Sequence, residues 1–123
     1  MTEARHALGK AGEEAAVQFL RQQGYHILER NYRCRFGEID LIARDGRMLA
    51  FVEVKTRRSQ KYGPAAAAVT AQKQRHLIKA SQAYLIQEKK AGELCRFDVV
   101  TIEMDAQQPH IELIKNAFQC TGD

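Results

Sequence analysis

Apolar side chains recur at helical spacing from Leu8 through Ala16, Phe19 and Leu20, and Gly24 supplies a stop, so residues from about Leu8 to Gln23 are expected to form a first helix. Tyr25-His26-Ile27-Leu28 then opens an extended segment. The strongest local signal follows. Glu38–Arg44 and Arg47–Lys55 are apolar-rich runs on either side of Asp45-Gly46, the preferred pair for a two-residue type I′ turn, and they predict a β-hairpin. Tyr62-Gly63-Pro64 marks a loop, and residues from about Thr70 to Ala91 read as a second long helix ending at Gly92, with Leu77, Ala80 and Tyr84 among its apolar positions. Arg96–Ile102 is a strand candidate, and His110–Ile114 a weaker one ahead of an acidic tail. The order α-β-β-β-α-β-β predicts an α/β (α+β) fold, a mixed β-sheet core flanked by helices.

No linker, repeat or low-complexity tract divides the 123 residues, which are expected to form one domain, 1–123. With 45% apolar residues the chain can build a core without a disulfide or metal staple. The uncharged stretch from Gly63 to Gln72 is alanine-rich and far short of the roughly 20 apolar residues that cross a bilayer, so no membrane partner is expected. Met1-Thr2-Glu3-Ala4-Arg5-His6 has no apolar segment after a basic start, and the expected location is the cytoplasm. Cys34, Cys95 and Cys120 form no C-x-x-C pair, and His6, His26, His76 and His110 no zinc-type spacing, which argues against a disulfide framework or a histidine metal site. Gly9-Lys10-Ala11-Gly12 lacks the length and the Lys-Ser/Thr ending of a P-loop and reads as a helix-start loop.

Charge is unevenly spread. Residues 1–62 carry 12 basic and 8 acidic side chains, 63–90 carry 5 and 1, and 91–123 carry 2 and 6. The basic residues crowd at Arg30–Arg35 and Lys55–Lys61 with tyrosines interleaved, which suits a surface that tracks phosphates and stacks bases, or a solvated basic rim.

A two-residue Asp45-Gly46 turn would pair Arg44 with Arg47, Ile42 with Leu49, Asp40 with Phe51 and Glu38 with Glu53. Alternation then directs Asp40, Glu53 and Lys55 to one side, with Asp40 diagonal to Glu53 at roughly 7 Å between backbone positions. Carboxylates beside Leu49 and Phe51 are costly unless compensated. A divalent ion together with Lys55 would do so, and a plain cross-strand salt bridge would too. Glu13 lies about 20° from Leu20 around the first helix, so it faces inward with Ala16 and Val17, whereas Glu14 turns about 100° away toward solvent. A first-turn acid favoured by the helix dipole is the alternative for Glu13.

Gly37-Glu38-Ile39-Asp40 followed by Glu53-Val54-Lys55 resembles the Asp…Glu-x-Lys core of the restriction-endonuclease-like PD-(D/E)XK nuclease superfamily. Gly12-Glu13, Phe19-Leu20 and Gly24-Tyr25 resemble the first helix of archaeal Holliday-junction resolvases. Taken with Leu28–Tyr32, Phe51–Arg57, Lys73-Gln74 and Arg96–Val100, the set resembles the bacterial YraN-like family over nearly the whole chain. Two departures stand out: no proline precedes Asp40, and the second helix has no Q-x-x-x-Y pattern.

The resemblance implies hydrolysis of phosphodiesters in nucleic acid, DNA ahead of RNA and structured or branched DNA in particular. Asp40, Glu53, Lys55 and Glu13 are then the catalytic residues, and Asp40, Glu53, the Val54 carbonyl and Glu13 the ligands of Mg²⁺, with Mn²⁺ as substitute. Arg33, Arg35, Arg57, Arg58, Lys61 and Lys73 would grip the backbone, and a homodimer would serve symmetric cutting. Fold does not fix function, so two other readings stand beside it: an inactive nucleic-acid-binding module, and a protein-interaction adaptor.

Overall fold

The computed structural model describes residues 2–57, 69–103 and 110–119, with side chains of the first helix described from Gly9 onward. The elements are α1 (Thr2–Gln22), β1 (His26–Cys34), β2 (Gly37–Asp45), β3 (Met48–Arg57), α2 (Ala71–Gln87), β4 (Cys95–Glu103) and β5 (His110–Phe118). This is the mixed α+β order read from the sequence. The five strands form one sheet in the order β1-β2-β3-β4-β5, antiparallel except for the β3–β4 pair. Parallel neighbours need a crossover of a dozen or more residues, and the segment containing α2 provides it.

Central β3 is buried on both faces, which is why Leu49-Ala50-Phe51-Val52 is continuously apolar rather than alternating. Ala50 and Val52 pack with Leu41, Ala43, Val100 and Ile102 against Ala16, Val17 and Leu20 of α1. Leu49 and Phe51 pack with Ile42, Phe97 and Val99 against Leu77, Ala80 and Tyr84 of α2. Successive strand residues point to opposite faces, so one sheet separates two helices and two apolar clusters.

Several boundaries differ from the sequence reading. The helix α1 begins at Thr2, so Gly9-Lys10-Ala11-Gly12 is helical and not a loop. Glycine lowers helix propensity by about 1 kcal/mol, but tertiary packing overrides that here. A Cβ on Gly12 would lie 2.0 Å from Thr56 Oγ1, so the helix backbone rests directly on β3. The strand β1 runs to Cys34, through Asn31 in a left-handed conformation (φ 54). At its other end α2 stops at Gln87, short of Ala91, with Lys89 left-handed (φ 56).

The hairpin register is the main correction. Asp45 pairs with Met48, Arg44 with Leu49, Ile42 with Phe51 and Leu41 with Val52, so the two turn residues are Gly46-Arg47. Gly46 alone of these is left-handed (φ 61), the pattern of a type II′ turn with glycine in first place. The reason is the use made of Asp45, whose Oδ2 accepts from Arg96 Nη2 at 2.5 Å and from Lys115 Nζ at 3.2 Å. Keeping Asp45 in the strand moves each β2 residue's partner along β3 by two. A slip of two preserves which side chains share a face and changes only who sits opposite whom.

Asp45 belongs to a polar network at the turn end of the sheet. Tyr25 Oη donates to Asp98 Oδ2 at 2.8 Å, Arg96 Nε to Asp98 Oδ1 at 2.9 Å, Arg96 Nη2 to Tyr25 Oη at 2.7 Å and the Asn116 N–H to Asp98 Oδ1 at 2.9 Å. The Asp98 side chain is fully buried, and with these partners its charge is answered on every side. The network ties the residue just after α1 to β2, β4 and β5.

Two stability outcomes follow. Gly12→Ala is expected to cost about 1–3 kcal/mol by overpacking against Thr56, part of it recovered in the Gly12→Ala/Thr56→Ala double variant, as read from urea melts. Asp98→Ala is expected to cost about 3–5 kcal/mol by stripping Arg96 of its buried partner, against about 1 kcal/mol for Tyr25→Phe. A smaller loss for Asp98→Ala than for Tyr25→Phe would show that the network does not carry the packing of this end.

Candidate functional site

At the opposite end of the hairpin the strands β2 and β3 part. Their ladder closes with Leu41 and Val52, and one further step in that register sets Asp40 level with Glu53. Directly opposed residues lie closer than the diagonal pair expected from the sequence. In place of a backbone carbonyl, Asp40 Oδ2 accepts the Val54 N–H at 2.8 Å. The parting strands open a cleft of about 890 Å³, walled by Gly9, Lys10, Glu13 and Glu14 of α1, Arg30, Asn31 and Arg33 of β1, and Asp40, Val54, Lys55 and Thr56.

The two carboxyl groups sit within hydrogen-bonding reach of each other and are largely withdrawn from water. Burial, and next the charge of Asp40, push the Glu53 carboxyl up to about 7, with Lys73 pulling the other way. Burial also raises Asp40, opposed by the Val54 N–H and by Glu53. Among the described residues the cation in contact with this pair is Lys73 of α2, whose Nζ lies 3.4 Å from Glu53 Oε2. Lys55, expected as the compensating cation, is exposed on the cleft wall and makes no ion pair among the described residues.

The other expected site residues fall into distinct places. Glu13 is half-buried on the cleft wall, where Oε1 accepts from Asn31 Nδ2 at 3.0 Å; Glu14 faces solvent and pairs with Arg30 at 2.9 Å. Arg33 lines the cleft, 3.6 Å from Glu38. Arg35 lies over the Phe36 ring at 4.7 Å, beside a second groove against α2 and away from the cleft. Arg57 is largely buried and faces Glu103 at 3.7 Å, so its charge is answered inside the protein. Arg58 and Lys61 lie outside the described residues, as does Cys120. The sequence reading leaves Lys10 out of the site and has Arg30 and Asn31 only within the basic Arg30–Arg35 run, without a role of their own. Lys10 is one helical turn before Glu13 and becomes legible once the helix is extended to Thr2; Asn31 is legible as a residue that tolerates the left-handed region inside a strand pattern.

One carboxylate oxygen, Glu53 Oε1, is buried with no hydrogen-bond partner among the described residues. An orphaned acceptor beside a second carboxylate is an all-oxygen donor pair of the kind a hard cation such as Mg²⁺ uses, with water and substrate filling the remaining positions. Asp40 and Glu53 therefore fit the ion that the resemblance implies. Among the described residues, no three His, Cys, Asp or Glu side chains gather as a metal-binding group, so Glu13 belongs to the cleft wall and not to the acidic pair. Among the same residues no helix is long and apolar enough to cross a membrane.

Fold and cleft define an α+β protein with a half-buried acidic pair where two strands separate beside a cleft lined by both basic and acidic side chains. The chain belongs to the uncharacterised protein family UPF0102, whose model matches residues 12–102, and this is the YraN-like family that its motifs resemble. It is 50% identical over 113 residues to the UPF0102 protein of Geobacter metallireducens, which covers 92% of this chain and 93% of that one. It is 47% identical over 116 residues to that of Caldicellulosiruptor saccharolyticus (93% and 98% covered) and 51% identical over 111 to that of Syntrophus aciditrophicus (90% and 87%).

Folded Glu53 holds its proton to about pH 7, whereas an unperturbed glutamate releases it near 4.5. Between these values the folded state binds more protons than the unfolded one, so this carboxyl's contribution to stability falls as pH rises from about 4.5 to 7 and then levels off. Raised Asp40 acts in the same direction. Thermal melts in chelator are expected to show Tm declining from pH 5 to 7.5 in the wild type and a flatter profile in Glu53→Gln. Parallel profiles would mean that Glu53 is not held in this protonated state.

Proposed function

We propose that the protein is a metal-dependent nuclease that hydrolyses phosphodiester bonds in DNA, with structured or branched DNA as the preferred substrate. The observation that carries this reading is the half-buried Asp40–Glu53 pair, with a Glu53 oxygen that has no hydrogen-bond partner among the described residues, beside a cleft that Asp40 lines together with Lys10, Arg30, Arg33 and Lys55. Structural carboxylates in a sheet are ordinarily paired off by hydrogen bonds, and among the described residues this pair is not fully paired.

Asp40 and Glu53 would hold the ion, with the Val54 carbonyl as a further ligand and Glu13, on the cleft wall, reaching it through water. When bound, Mg²⁺ or Mn²⁺ supplies an acidified water and offsets charge developing on the phosphate. The Val54 N–H holds the Asp40 carboxylate in one orientation, so a ligand oxygen is aimed before any substrate arrives. The exposed Lys55 ammonium orients the attacking water or meets the phosphate oxygens, and Lys10, Arg30 and Arg33 hold the flanking backbone. Such contacts read charge and shape and leave base sequence unread. Paired cuts across a four-way junction would take two copies of the chain.

The test is Mg²⁺- and Mn²⁺-dependent cleavage of end-labelled single-stranded, duplex, flap and four-way-junction DNA, with matching RNA. Wild type is expected to cut a branched DNA, Asp40→Asn and Glu53→Gln to lose cleavage while still binding, and Lys55→Ala to slow cleavage by about 10²–10³. Arg33→Ala is expected to weaken binding and lower the salt slope by about one. Binding without cleavage under every condition would overturn the nuclease reading in favour of a binding module; neither binding nor cleavage would favour an adaptor.

A further inference from the structure

The first turn of α2 breaks a local rule. Thr70 is its N-cap, and Thr70 Oγ1 accepts the Lys73 N–H at 3.1 Å. Three residues after a threonine cap, glutamate or glutamine completes a capping box, and acids in that turn answer the positive end of the helix dipole. This helix places lysine there and has no acid in its first turn. A cation in that position costs about 0.3–1 kcal/mol unless something else answers it. What answers it is Glu53, 3.4 Å from the ammonium, and Lys73 is the cation whose charge acts on both Asp40 and Glu53. A local rule broken where two half-buried carboxylates need a cation points to a role in the site.

We propose that Lys73 is the resident counter-ion of the acidic pair, occupying the cation's place in the metal-free protein, and that a divalent ion must displace it to bind. The inference rests on the metal-dependent reading above and adds to it a lysine from outside the Glu-x-Lys segment. The Lys73 side chain is 43% exposed and that of Glu53 12%, so the ammonium can swing into water while the carboxylate stays. A flexible four-carbon stem makes that exchange easy. Of the other groups near the pair, Glu38 adds negative charge beside Asp40, and Lys55 stands unpaired on the cleft wall among the described residues. Lys73 thus holds the site together before metal arrives, at the expense of metal affinity.

Calorimetric titration with Mn²⁺ alone, at one pH and ionic strength, tests this on wild type, Lys73→Met, Lys73→Arg and Asp40→Asn. Methionine keeps helix propensity and removes the charge, so the variant retains its fold. Removing the competitor is expected to tighten Mn²⁺ binding by roughly three- to tenfold in Lys73→Met, while Lys73→Arg stays near wild type and Asp40→Asn loses binding. Unchanged or weaker binding by Lys73→Met, with binding in wild type still abolished by Asp40→Asn, overturns the counter-ion role and leaves the metal site standing. Absence of Asp40-dependent binding in both wild type and Lys73→Met overturns the two together.

Discussion

The site depends on one hydrogen bond, from the Val54 N–H to the Asp40 carboxylate. Where β2 leaves β3, a backbone donor of the central strand would otherwise lose its partner, and an unpaired buried N–H is expensive. Asp40 supplies the acceptor from its side chain, so the strands can separate without that loss. The same bond fixes the carboxylate beside Glu53, with the cleft opening over it. One interaction therefore ends the ladder, opens the cavity and fixes the orientation of one carboxylate of the pair.

The sheet has two ends with opposite electrostatic character. At the turn end Asp98 and Asp45 meet Arg96, Lys115, Tyr25 and a backbone N–H, a network in which the buried Asp98 is fully answered. At the cleft end Asp40 and Glu53 share one nearby lysine, and a buried oxygen is left without a partner among the described residues. Satisfied networks rigidify, whereas an unpaired buried acceptor is costly, and a bound ion is one way to answer it. The first is structural for that reason, and the second is the candidate site.

Close backbone approach brings the third wall of the cleft. Gly12 lets α1 rest against Thr56, one residue beyond Lys55, and this brings Glu13 and Lys10 over the acidic pair's cleft. Asn31, left-handed in β1, turns its carboxamide to Glu13 and joins the helix to the edge strand. These small departures from regular helix and strand set the cleft's shape.

Hydrophobic periodicity by itself determined the element order, the mixed sheet and the inner faces of both helices, because burial of an apolar stripe is a local pattern with a period of two or 3.6 residues. It also placed Asp40 and Glu53 on one face, since alternation survives a slip of two. Pairing was not legible in this way: Asp45-Gly46 is a favoured local turn, but Asp45 is needed by Arg96, which lies 51 residues away in the chain. Lys73 was read as a phosphate contact, and its link to Glu53 spans the crossover through α2. The helical state of Gly9–Gly12 likewise rests on β3. Each of these was decided by a partner remote in sequence, and a long-range ion pair or a backbone contact leaves no periodic trace in the residues around it.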